Sequence, residues 1–146
     1  MQKLVHHAGG LSLADVLPQA RPTSRPDVRF DSCCGDSRQV QPGDVFVAIL
    51  GDQEDGHDHY DEATRRGARA IVAERLLPTK LPTFLVKDSR VAYGQLCHAL
   101  VDHPSQMMTS IGVTGTAGKT VTNELIRSVL ESGGHCAGCI NGIRSF

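Results

Sequence analysis

Ile111-Gly112-Val113-Thr114-Gly115-Thr116-Ala117-Gly118-Lys119-Thr120 is the stretch from which the rest of the chain is read. An apolar start, spaced glycines and a Gly-Lys-Thr end predict a buried strand, a glycine-rich turn and the opening of a helix. Gly115 and Gly118 free the backbone for conformations that a Cβ forbids. Such a turn points successive N–H groups at an anion, beside the partial positive charge of the helix N-terminus. Lys119 then supplies a cation for the outer phosphates of a nucleotide, and the Thr120 hydroxyl a ligand for Mg²⁺. The bland alternative is a glycine-rich turn with a chance Gly-Lys-Thr. The spacing also departs from the usual phosphate loop, which wants glycine where Val113 stands; here the glycines fall at 112, 115 and 118.

Bulk properties narrow the classes. A chain of 146 residues suffices for one domain, or one domain and a fragment of another. Its 40% hydrophobic and 21% charged residues are ordinary for a globular protein. A net charge of −1 gives no electrostatic case for nucleic acid, and 4% aromatic residues without Trp make no stacking platform. No apolar run reaches membrane-spanning length and Met1–His7 has no secretory core, so the expected location is cytoplasmic. The five cysteines, an odd number, read as free thiols. Cys136-x-x-Cys139 alone is a weak zinc signal, and Cys33 and Cys34, adjacent on a strand, would face opposite ways.

Along the chain, Ser12 is placed to cap a short helix over residues 12–17, which Pro18 ends, with Pro22 and Pro26 keeping the next segment extended. Strands are expected over Val28–Cys34, Val45–Leu50, Ala68–Ala73 and Thr83–Val86. The continuously apolar Val45–Leu50 is the pattern of a strand covered on both faces. Helices are expected over His57–Arg66, stopped by Gly67, and over Arg90–Asp102, with Ala92, Leu96, Ala99 and Leu100 as its apolar stripe. Alternation of strands and helices predicts an α/β fold with a mostly parallel sheet. Residues 103–108 read as a hinge. After it come the phosphate-loop strand from Thr109, a helix over Thr120–Ser132 with Val121, Leu125, Val129 and Leu130 on one side, and a strand starting within His135–Ile140.

The order of motifs resembles the Mur ligase family. Asp36-Ser37-Arg38 is followed by Pro42-Gly43-Asp44-Val45-Phe46-Val47-Ala48, Asp55-Gly56-His57-Asp58 and Gly67-Ala68-Arg69-Ala70, and His103-Pro104-Ser105 leads into 112–120 with the family's own glycine spacing. The likeness runs from about residue 11 to 138. It is greatest to the member that joins meso-diaminopimelate or L-lysine to UDP-N-acetylmuramoyl-L-alanyl-D-glutamate, with the member adding D-alanyl-D-alanine close behind.

The resemblance implies a small Rossmann-like UDP-sugar-binding domain over 1–107, then the truncated start of a P-loop ATPase domain over 108–146. It implies that Gly35, Ser37, Asp52, Gln53 and Glu54 contact the uridine end of the nucleotide sugar, for whose neutral donors and acceptors a hydroxyl and an amide are suited. Asp36 and Arg38, by contrast, can simply pin a turn as a pair. Gly115, Thr116, Ala117, Gly118, Lys119, Thr120 and Val121 would wrap the ATP phosphates. Lys119, the catalytic residue of the set, and Mg²⁺ held through Thr120 would neutralise the phosphoryl group transferred to the D-Glu γ-carboxylate before an amine attacks the acyl phosphate. Ala117 stands where the family usually has Asn, and Val121 where it usually has Thr. The family's later magnesium-binding acid, carbamylated lysine and C-terminal domain find no counterpart here. The expectation is therefore a chain that binds the nucleotide sugar and does not ligate, with self-association through an incomplete sheet edge. Two other readings are a stand-alone nucleotide-sugar-binding module with a vestigial phosphate loop, and a small P-loop kinase, which the loop's late position disfavours.

Overall fold

The computed structural model describes residues 10–23, 27–51 and 54–141. The chain divides into two compact units, Met1–Met107 and Met108–Phe146. In the first unit, β1 (Leu11–Ser12) runs into α1 (Leu13–Val16), where the Ser12 hydroxyl caps the turn by accepting the Asp15 N–H at 3.2 Å. β2 (Arg21–Pro22) follows, its proline at a sheet edge where a missing N–H costs least. The strand expected over Val28–Cys34 is two. β3 (Arg29–Phe30) pairs antiparallel with β1, the chain bends at Asp31, and β4 (Cys33–Cys34) joins the main sheet. The bend is held by the Ser32 hydroxyl, which donates to the buried Asp44 carboxylate, a partner too distant for local pattern to signal.

β5 (Val45–Val47), α2 (Tyr60–Arg65, preceded by a 3₁₀ turn over Gly56–His59), β6 (Ala70–Ala73), β7 (Thr83–Leu85) and α3 (Ser89–Leu100) complete the unit. The helix expected over His57–Arg66 thus opens as 3₁₀. The strand expected to reach Leu50 ends at Val47; the Ala48 N–H still bonds the Val72 carbonyl at 2.9 Å, and Leu50 then bridges Asp55. The five-stranded sheet has the order β2-β7-β6-β5-β4, parallel throughout except for β2.

Period-two alternation sorts the core into two layers. Val45, Val47, Ala70, Val72 and Phe84 face the stripe of α3 (Ala92, Leu96, Leu100) together with Leu13, Leu17 and Phe30. Phe46, Ala48, Ile71 and Ala73 face Ala63 of α2, with Val40 and Ala68. Cys33 packs against the first layer and Cys34 against the second, as adjacent strand residues must.

In the second unit, α4 (Lys119–Ser132) begins after Gly118, whose φ of +78° is left-handed, and ends at Gly133. No residue of α4 is buried, and Val121, Leu125 and Val129 are exposed. The buried strand expected before the loop is absent: residues 109–114 have no strand structure and Ile111 is 56% exposed. A strand exists only through its ladder, and among the described residues none runs beside this segment. Residues 135–139 likewise form no strand.

Gly56 tests how tightly the loop after β5 returns on the sheet. A Cβ there would meet the Ile49 oxygen at 2.7 Å and nitrogen at 2.8 Å, both backbone, whereas one at Gly94, inside α3, meets nothing within 4 Å. Gly56→Ala is expected to destabilise the chain by about 2–3 kcal/mol. Gly94→Ala should instead stabilise it by about 0.5–1 kcal/mol, both read from urea unfolding midpoints.

Candidate functional site

The carboxyl ends of β4 and β5 open into a cleft of about 680 Å³. That is the end of a parallel sheet where α/β folds take ligands, and the volume falls within the usual range of small-molecule sites. Past β4 the chain turns through Gly35-Asp36-Ser37-Arg38. Past β5 it supplies Ile49 and Gly51, and the returning loop and α2 add Glu54, Gly56, His59 and Glu62. Three residues singled out from sequence, Gly35, Ser37 and Glu54, meet here. Asp52 and Gln53 lie outside the described residues.

The turn after β4 is held by Asp36. Its carboxylate accepts the Arg38 N–H (3.0 Å), both ends of the Arg38 guanidinium (2.9 and 3.2 Å) and the Gln39 amide (3.0 Å). The Arg38 guanidinium holds the Asp36 carboxyl below the usual carboxylate range. Asp36 and Arg38 are thus a turn-pinning pair. Ser37 is 6% exposed, and its hydroxyl donates to Glu62 Oε2 at 2.8 Å. Arg66 holds Oε1 of the same carboxylate at 3.1 Å. The Ser37 hydroxyl, with Arg66, outweighs desolvation and keeps the Glu62 carboxyl below its ordinary range. With its proton committed to Glu62, Ser37 Oγ has lone pairs left to offer as an acceptor. Asp36, Glu54 and Glu62 make the lining predominantly acidic, whereas the Arg38 side chain is 70% exposed.

A buried histidine tethers the loop on the other side. The ring of His57, 2% exposed, accepts the Glu74 N–H at Nε2 (2.9 Å), so Nδ1 carries the proton and donates to Asp55 Oδ1 at 2.6 Å. Asp55 also accepts the His57 N–H (2.9 Å) and the Arg75 guanidinium (2.8 Å), and Arg75 reaches Asp58 at 3.1 Å. Backbone bonds from Gly51 N–H to Glu54 O and from Gly56 N–H to Ile49 O, both 2.9 Å, close the loop over the sheet end.

The glycine-rich loop belongs to the second unit. Gly115 and Gly118 have φ of +151° and +78°, and Thr116 and Ala117 are exposed between them. The Lys119 ammonium donates to the Gly115 carbonyl across the loop. Lys119, Thr120 and Val121 form the first turn of α4, where N–H groups have no acceptor within the helix. Glu124 and Glu131, also on α4, both pair with Arg127, at 3.0 and 3.2 Å. Among the described residues no three His, Cys, Asp or Glu side chains gather as a metal site, and no helix is long and apolar enough to cross a membrane.

Sequence reasoning missed Ile49, His59 and Glu62 as cleft residues. Glu62 lies 25 positions from Ser37, so no local pattern joins them. His57 falls in Asp55-Gly56-His57-Asp58, where the sequence gives it no role; the burial that makes it a tether is a tertiary fact.

Residues 31–117 match the Mur ligase family, catalytic domain. The chain is 42% identical over 107 residues to the UDP-N-acetylmuramoyl-L-alanyl-D-glutamate--2,6-diaminopimelate ligase of Aquifex aeolicus (strain VF5), covering 73% of this chain and 22% of that one. It is 37% identical over 122 residues to the enzyme of the same name from Lactiplantibacillus plantarum (strain ATCC BAA-793 / NCIMB 8826 / WCFS1), covering 84% and 25%. It therefore spans about a quarter of the length of such curated relatives. A solved UDP-N-acetylmuramoyl-L-alanyl-D-glutamate--2,6-diaminopimelate ligase shares the fold over 94% of this chain and 28% of its own, with TM-score 0.74 at 22% identity. The MurF ligase of Thermotoga maritima, solved in complex with ADP, matches over 68% of this chain and 23% of its own, with TM-score 0.51 at 38% identity.

The tether makes stability depend on pH. Burial opposes ionisation of Asp55, but the His57 N–H and ring and the Arg75 guanidinium outweigh it, so its carboxyl sits below the usual range. A lowered folded value stabilises above the unfolded value of about 3.9 and is lost as pH falls through the folded one. Asp55→Asn is expected to cost about 1–3 kcal/mol at pH 7 and to lose less stability than the native chain between pH 7 and pH 3, read by urea unfolding at each pH.

Proposed function

The chain belongs to the Mur ligase family, and from that membership we propose that its cleft holds the uridine end of a UDP-N-acetylmuramoyl peptide. The observation that carries this reading is the hydroxyl of Ser37. Its proton is given to Glu62, so it meets a ligand as an acceptor, and the uracil imide N–H and the ribose hydroxyls are donors. The lining carries three carboxylates, Asp36, Glu54 and Glu62, against the one guanidinium of Arg38, a balance that favours a neutral base and sugar over a diphosphate. Asp52 and Gln53, which lie between Gly51 and Glu54 in the sequence, are proposed to add further contacts.

For the second unit the proposal is a cradle for ATP phosphates formed by Gly115, Thr116, Ala117, Gly118, Lys119, Thr120 and Val121. The residues fit that group: two glycines with positive φ, free amides at the start of α4, and a lysine and threonine in its first turn. Magnesium, bound through Thr120, would supply charge neutralisation at the phosphates. Lys119 would add to it after leaving the Gly115 carbonyl. The wider activity proposed is ATP-driven joining of an amino acid to UDP-N-acetylmuramoyl-L-Ala-D-Glu in peptidoglycan precursor synthesis, a cytoplasmic reaction.

Calorimetric titration of the 146-residue chain tests this reading. UDP-N-acetylmuramoyl-L-Ala-D-Glu is expected to bind, and Ser37→Ala to weaken it about 3–10-fold, the worth of one hydrogen bond near 1 kcal/mol. ATP is expected to bind this loop at millimolar rather than micromolar strength, because Ala117 brings no side-chain donor beside the phosphates. A folded chain that gives no heat with the nucleotide sugar, or a Ser37→Ala variant with unchanged affinity, overturns the cleft assignment. Micromolar ATP binding overturns the second expectation.

A further inference from the structure

Two thiols that the nucleotide reading does not use face each other behind the turn that carries Ser37. Cys33 lies on β4 with its side chain on the α3 side of the sheet, and Cys97 lies on α3. Their sulfurs are 3.8 Å apart and both side chains are half-buried. A disulfide bond is about 2.05 Å long, so the sulfurs need to close by roughly 1.8 Å. The other cysteines are poor competitors. Cys34 points to the opposite face and donates to the Asp36 carbonyl at 3.2 Å, while Cys136 and Cys139 belong to the second unit.

The pair is chemically unequal. The hydrogen bond from Cys33, opposed by burial and joined by one from Tyr93 a helical turn earlier, brings the Cys97 thiol down to about 7. The same Cys97 contact, with burial, pushes Cys33 far up. Near neutral pH, Cys97 is thus the nucleophile and Cys33 the proton-bearing partner.

We propose that Cys33 and Cys97 form a dithiol site that reacts with small-molecule disulfides and closes to an intramolecular disulfide between β4 and α3. The Cys97 thiolate attacks one sulfur of a disulfide RSSR, forming a mixed disulfide and expelling RS⁻, which takes up a proton. Cys33 then loses its proton and attacks Cys97 Sγ, expelling the second RS⁻, which is protonated in turn. The net change is two cysteine thiols and RSSR to one protein disulfide and two RSH; the protein is oxidised and the small disulfide reduced. The product joins β4 to α3 two residues before Gly35, where a Cβ would come within 3.8 Å of the Tyr93 ring. The inference rests on this geometry and not on the identity of the cleft's ligand.

Glutathione disulfide is the probe, applied to the whole chain at pH 6 and pH 8 and followed by intact mass and peptide mapping. The expected product has lost two hydrogen atoms, maps to the peptides holding Cys33 and Cys97, and forms several-fold faster at pH 8. Cys33→Ser, lacking the second thiol, should stop as a stable glutathione adduct on Cys97, and Cys97→Ser should leave Cys33 unmodified. A native chain that stops at the Cys97 adduct, or that reacts first at Cys136 or joins Cys33 to Cys34, overturns the proposal. The native-chain and Cys33→Ser arms decide the question even if Cys97→Ser does not fold.

Discussion

Burial of β5 on both faces is the constraint on which the first unit depends. Val45 and Val47 fill the layer under α3, and Phe46 with Ala48 fills the layer over α2, so neither helix can be removed without exposing one side of the strand. Three full residues of double-sided apolar burial in a parallel sheet leave a single workable register, because a slip by one exchanges the two layers. That register fixes where β4 and β5 end, and the cleft is what lies beyond those ends.

The walls of the cleft are stabilised by polar groups satisfied internally. Asp36 binds the turn after β4, and Asp55, His57 and Arg75 bind the loop after β5 to the end of β6. Each carboxylate uses its lone pairs on backbone and cationic partners, which ties these turns to the sheet without an apolar core of their own. The Ser37 hydroxyl in this lining is oriented by a carboxylate from a different element, Glu62 of α2. Orientation of the donor decides what kind of ligand atom the site can accept.

The second unit shows the opposite balance. Its helix has the amphipathic spacing of a buried element, yet Val121, Leu125 and Val129 are exposed and the run before the glycine loop forms no ladder. The loop itself keeps its positive-φ glycines and its lysine–carbonyl contact. Loop conformation is local, set by glycine and by the first helical turn, whereas strand formation is not.

Much was therefore legible in the sequence by itself. Apolar runs and stripes determined the parallel α/β class, the two-sided strand at Val45 and the buried face of α3, because side-chain periodicity is a local property. Motif order identified the family and singled out Gly35, Ser37 and Glu54, which the fold brings to one cleft. Tertiary structure alone decided the split of Val28–Cys34 into strands of two sheets, the early end of β5 at Val47, and the 3₁₀ opening of α2. It alone placed Glu62 on Ser37, His57 between Asp55 and Glu74, and Cys33 opposite Cys97, 64 residues away. The reason is common to all of them: each depends on a partner brought close by folding, and a one-dimensional pattern carries no record of which distant residues will meet.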